Sequence, residues 1–169
     1  MTVTPDAPDQ LRDRLLRTAE RHGAAVVHVD EEEQHPPYAF SAGVWRRFGK
    51  PEVVVIGLPQ EVAHPVVNTY TARAARGERF VPGRLYEGFL AEQPVTFERI
   101  SGVHYPQYLG SAVLLHDGDD FPGLQMVLPE PRTGLFPWSE GASEEFRQYQ
   151  PVLTDSGLPE NWTPGVDGA

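Results

Sequence analysis

Residues 38–58 read YAFSAGVWRRFGKPEVVVIGL, and the way this stretch folds governs the rest of the chain. It holds two strand-like runs, residues 38–44 and 52–57, joined by a short basic segment punctuated by Gly49 and Pro51. The run Val53-Val54-Val55-Ile56 is apolar on both faces, which predicts a strand covered on both sides at the centre of a sheet. The first run puts Ala39, Ser41 and Gly43 on one face and Tyr38, Phe40 and Ala42 on the other. A face of such small residues admits another backbone or a flat ligand at close range.

Working outward, residues 7–22 predict a helix: Pro8 suits the first turn, Leu11, Leu15 and Ala19 recur at four-residue spacing, and Gly23 closes the end. Residues 24–29 then read as a strand. Beyond the central block, Val62, Ala63, Val66, Val67, Tyr70 and Ala74 follow helical spacing, interrupted by Pro65, which removes an amide donor. Residues 94–100 alternate as a half-buried strand, 105–115 carry a helical period, and 124–128 read as a further strand. The stretch 78–93 has no clear period. The expected architecture is a single α+β domain over residues 1–138, with a mixed or mostly antiparallel sheet of about five strands and about three helices. Residues 139–169, rich in Pro, Gly and acids, read as an appended tail.

Composition narrows the function classes. A 169-residue chain with 40% hydrophobic residues has enough length for one well-buried core. No apolar run approaches the ~20 residues that span a bilayer, and residues 1–10 lack a secretory pattern, so the cytoplasm is the default compartment and no membrane partner is expected. With no cysteine, disulfides, thiolate metal sites and a cysteine nucleophile are excluded. The formal net charge of −10 argues against nucleic-acid binding. Half of that charge lies in residues 139–169, where six acids face Arg147 alone.

The chain contains no GxGxxG, no GxxxxGK[ST], no GxSxG and no HExxH. No metal centre is therefore expected, and no cofactor is identified. The densest group of N and O donors is His116-Asp117-Gly118-Asp119-Asp120. It reads first as a helix-ending turn, with His116 at the helix C-terminus and the aspartates bonding locally, and a metal or acid–base role is the alternative. His104, Tyr105, His116 and Asp120 are the acid–base candidates. Ser41, Gly43, Arg46, Arg47, His64, Gln125 and Trp138 are the ligand-binding candidates. Gln125 stands within the apolar run Leu124–Leu128, where an unpaired amide costs about 1–3 kcal/mol, so protein or ligand must satisfy it. Arg46, Arg47 and Lys50, with Arg73, Arg76, Arg79 and Arg84, offer one cationic surface suited to a small anion, unless Glu52, Glu61, Glu78 and Glu87 pair with them.

The order of motifs resembles a bacterial family known as domain of unknown function 4262. The residues that carry the resemblance are Arg21-His22-Gly23, Tyr38 through Val44, Gly49 through Leu58, Gly77-Glu78-Arg79-Phe80, Val95-Thr96-Phe97, and Gln125-Met126-Val127 through Trp138, covering about residues 20–140. The resemblance implies a small, soluble bacterial protein without an assigned activity, and it supplies no catalytic residue. Leu128-Pro129-Glu130 departs from the tryptophan-containing version usual at that strand end.

Three readings follow. The first is a binding or accessory domain for an anionic metabolite or nucleotide, with a pocket between the small-residue face of residues 38–44 and the Gln125/Trp138 segment. The second is an enzyme of small-molecule metabolism using His or carboxylate acid–base chemistry, with a flavin-binding split barrel as a variant. The third is an interaction or immunity module that uses its acidic tail. Oligomeric state is not readable from the sequence.

Overall fold

Every residue of the valine-rich strand is buried, as its two-sided apolar pattern requires. The computed structural model describes residues 8–116 and 118–160. The valine-rich strand is β3 (Glu52–Ile56), with β2 (Tyr38–Ala42) antiparallel on one side and β6 (Gly123–Val127) parallel on the other. Outside these lie β1 (Ala25–Val29) beside β2 and β5 (Val95–Arg99) beside β6, both antiparallel. The two-residue β4 (Leu85–Tyr86) completes a six-stranded sheet of order β1-β2-β3-β6-β5-β4. This is the expected α+β sheet, mixed and mostly antiparallel, with one more strand than expected. Two residues carry no readable period, so β4 was not legible. The sheet is open, with β1 and β4 at its edges, and does not form the split barrel considered as a flavin-binding variant.

The helices among the described residues are α1 (Pro8–His22), α2 (Val44–Phe48), α3 (Gln60–Ala75), α4 (Tyr105–Tyr108), α5 (Gly110–Leu115) and α6 (Glu144–Tyr149). That is three more than the three expected. The basic segment after β2 coils into α2. The helix expected over residues 105–115 is broken at Leu109, whose φ of −130° is not helical. The third, α6, forms within the expected tail. Pro65 lies inside α3, five residues from its start, on the exposed side.

Each face of the sheet is covered. On the first, Ala39, Val53, Val55, Phe97 and Met126 pack beneath Ala63, Val66, Val67 and Tyr70 of α3. On the second, Phe40, Val54 and Ile56 meet Leu15 of α1 and Tyr105, Tyr108, Leu109 and Leu115 of α4 and α5. The small-residue face of β2 is therefore used to admit α3. Gln125 faces the opposite side from its neighbours Leu124 and Met126, so the pocket expected between that β2 face and Gln125 does not form. The space is filled by helix, and the two groups lie on different faces of one sheet.

Residues 139–160 do not hang free as a tail. Their polar backbone finds partners on the sheet, so docking satisfies groups that would otherwise be orphaned. Gln150 donates from Nε2 to the Ile56 carbonyl (2.8 Å) and accepts from the Leu128 amide (3.1 Å). Gln125 does the same for the passing segment: it donates to the Pro151 carbonyl (2.7 Å) and accepts from the Leu153 amide (2.8 Å). The amide expected to need a partner inside an apolar strand thus holds down the C-terminal segment, and Leu153 joins the second core. Gly57 makes room for this strap. It has a φ of +94°, and a Cβ there would lie 3.2 Å from both Gln150 and Tyr149.

Candidate functional site

A cleft of about 550 Å³ opens at the end of the sheet where β3 and β6 begin and β5 finishes. Its inner surface is aromatic and apolar, with Tyr70, Phe80, Ile100, Tyr105 and Leu124 among the lining residues. Both phenols are committed to backbone. Tyr70 donates to the Pro51 carbonyl at 2.7 Å, and Tyr105 donates to the Phe121 carbonyl at 2.8 Å. Burial raises the pKa of each above its ordinary value, with the charge of Glu52 adding to the effect at Tyr70 and that of Asp119 at Tyr105. Both are therefore neutral hydrogen-bond donors at pH 7.

Three cations line the same cleft: Lys50 from the segment after α2, Arg79 beyond α3, and Arg99 at the end of β5. The single acid among the lining residues, Glu78, is already matched, since Arg73 donates to it from Nε at 2.6 Å. Arg73 is held in turn by the Glu87 carbonyl and by the rings of Phe80 and Phe89. Among the described residues no carboxylate pairs with Lys50, Arg79 or Arg99. A net positive cleft in a chain of formal charge −10 is a local inversion of the protein's field.

Behind the rim lies a buried polar cluster centred on Glu52, which is 0% exposed. Its carboxylate accepts from the Ser41 hydroxyl (2.7 Å) and from the amides of Gly43 (2.9 Å), Val44 (3.1 Å) and Trp45 (3.3 Å). His116 brings Nε2 to 2.7 Å from the same carboxylate, and the Ser41 oxygen accepts from the Val53 amide. Gly43, with a φ of +123°, turns the chain so that these successive amides converge on one side chain. The carboxylate thus caps the first turn of α2 and anchors the end of α5 to the central strand.

The structure distributes the candidate residues unevenly. Ser41, Gly43 and His116 meet around Glu52. Tyr105 is the member of the acid–base set that lines the cleft; His104 sets its ring edge against Tyr108, Asp120 is exposed in the turn before β6, and Asp117 lies outside the described residues. Of the wider cationic set, Lys50 and Arg79 line the cleft, whereas Arg46, Arg47, Arg76 and Arg84 do not. His64 is exposed on α3, and Trp138 stacks on Phe136 beside the strap. No group of three or more potential His, Asp or Glu ligands occurs among the described residues. No helix among them is long and apolar enough to cross a membrane.

Sequence reasoning missed Arg99 and Trp45, and it read Glu52 only as a partner for the nearby cations, whereas its carboxylate is taken up by Ser41, three amides and His116. Arg99 ends an alternating strand and carries no local signal. Glu52 does: an acid opening a strand that is otherwise buried on both faces must be paired.

A family model described as domain of unknown function DUF4262 matches residues 18–143, and the chain belongs to that family. No curated protein and no solved structure matches it.

Proposed function

We propose that this DUF4262 member binds a small anionic molecule in the cleft at the end of the sheet. The observation that supports this reading is the trio Lys50, Arg79 and Arg99, gathered on an aromatic-lined hollow without carboxylate partners among the described residues. Arginine forks suit phosphate and carboxylate oxygens in bidentate geometry, and apolar walls strengthen such contacts by excluding water. A volume of about 550 Å³ falls in the range of sites for small organic ligands. The test is calorimetry and thermal-shift titration with a panel of phosphorylated and carboxylated metabolites. A saturable stabilisation is expected, weakening as salt rises. The double variant Arg79→Gln/Arg99→Gln should lose affinity by about tenfold or more, since each charge-assisted bond is worth ~1.5–3 kcal/mol. Both side chains are exposed, so the unliganded protein should keep its melting temperature. Absence of saturable binding at millimolar concentration, or unchanged affinity in the double variant, overturns the proposal.

A second reading rests on the Glu52–His116 pair. The carboxylate holds the imidazole through Nε2, and Nδ1 is neither bonded within the described protein nor among its buried unpartnered atoms. A carboxylate-oriented imidazole with a free nitrogen is the arrangement general acid–base catalysis uses. It predicts turnover of some ester or phosphate-ester probe that His116→Gln abolishes, at a place outside the cleft, which His116 does not line. If no probe is turned over, or if turnover survives in His116→Gln, this reading is wrong.

A further inference from the structure

Trp45 stands at the rim of the cleft with 38% of its surface exposed. The other cleft aromatics Tyr70, Phe80 and Tyr105 are buried, so Trp45 is the one ring there with much surface to offer. Its backbone is held from both sides. The Trp45 amide donates to Glu52, and its carbonyl accepts from the Gly49 amide at 2.9 Å, where Gly49 closes α2 in the left-handed conformation. A large indole kept in water on a pinned turn, beside three cations, presents a flat surface next to an anion site.

We infer that the cleft takes a planar aromatic ring bearing a phosphate, with the ring stacked on Trp45 and the phosphate on Arg79, Arg99 and Lys50. This deepens the anion-binding reading and rests on it. Stacking on an exposed aromatic side chain tolerates many ring types, because each has a π face. Guanidinium and ammonium donors select the phosphate and set its position. The geometry therefore specifies a chemistry shared by mononucleotides and by other ring phosphates, and the probes separate these sources.

The experiment is titration of the full chain with inorganic phosphate, ribose 5-phosphate, adenosine and guanosine monophosphates, and flavin mononucleotide, followed by calorimetry and tryptophan emission. Either the purine nucleotides or the flavin should bind about tenfold or more tighter than ribose 5-phosphate, and the preferred ring should quench a part of the tryptophan emission that is absent in Trp45→Leu. Trp45→Leu should erase that preference while leaving ribose 5-phosphate affinity within twofold of wild type; Trp45→Phe should restore most of the preference. Leucine keeps an apolar side chain of moderate size on an exposed position, so the fold is retained and the comparison holds. Equal affinity for ribose 5-phosphate and every ring phosphate overturns this inference while the anion site stands. Persistence of the preference in Trp45→Leu overturns it too. Failure of all probes, inorganic phosphate included, removes the anion site itself.

Discussion

Replacing Glu52 by alanine is expected to lower the unfolding free energy by about 3–5 kcal/mol, the usual consequence of removing one partner from a buried charged cluster. The variant would leave the Ser41 hydroxyl, the Gly43, Val44 and Trp45 amides and His116 Nε2 without their acceptor in a site that is 0% exposed. Glutamine should not rescue it. Its shape is right, but an NH₂ group would face donors where the second carboxylate oxygen now accepts. Glu52→Gln is therefore expected to recover less than half of the loss in urea unfolding. Ser41→Ala should be milder, at about 1–3 kcal/mol, because it orphans the Val53 amide and removes one of five donors to the carboxylate. Stability of Glu52→Gln within about 0.5 kcal/mol of wild type, which is the spread of ordinary surface substitutions, would show that the cluster does not depend on a carboxylate.

The second large effect concerns Glu98 and is read as a pH dependence. This β5 residue pairs across the sheet with Gln125 and is 1% exposed. One oxygen accepts from the Glu160 amide at 2.9 Å, while Oε2 is buried with no partner. Burial pushes its pKa up to about 6; the Glu160 amide lowers it in part, and the Glu160 charge raises it. Because the folded protein holds this proton more tightly than the unfolded chain, Glu98 favours folding most below the ordinary value of 4.5. That contribution is lost as pH rises from about 4.5 through 6. The gap corresponds to about 2 kcal/mol at neutral pH. Comparing wild type with Glu98→Gln in urea at pH 4 and at pH 7.5 isolates it: the wild type should lose about 2 kcal/mol relative to the variant over that range. A difference that stays constant with pH would mean that Glu98 titrates normally, and the burial argument would fail. Since the Glu160 amide holds Glu98, the change should also register in protection of that amide from hydrogen exchange.

The strands were legible because their signals are local. Val53 to Ile56 can be buried on both faces only inside a sheet, and Val95 and Phe97 enter the core as their alternation predicts. Thr96 and Glu98 opposite them are buried too, so β5 is not the half-buried strand expected. Lys50 and Arg79 were legible as parts of a cationic surface. Arg99 was not, since a cation at a strand end has no periodic context. The tail was misread for a related reason: residues 139–160 are poor in apolar side chains, and their docking rests on two glutamines bonding distant backbone rather than on hydrophobic pattern.

Residue order alone was enough for the α+β class, the central strand and the family, because apolar periodicity and motif order are properties of short windows. Assembly in three dimensions was needed to show that Glu52 meets a histidine 64 positions away, that α3 rather than a ligand fills the small-residue face of β2, and that three cations from separate elements share one cleft. Burial and charge pairing depend on which distant segments come to lie side by side, and no local window of sequence contains that information.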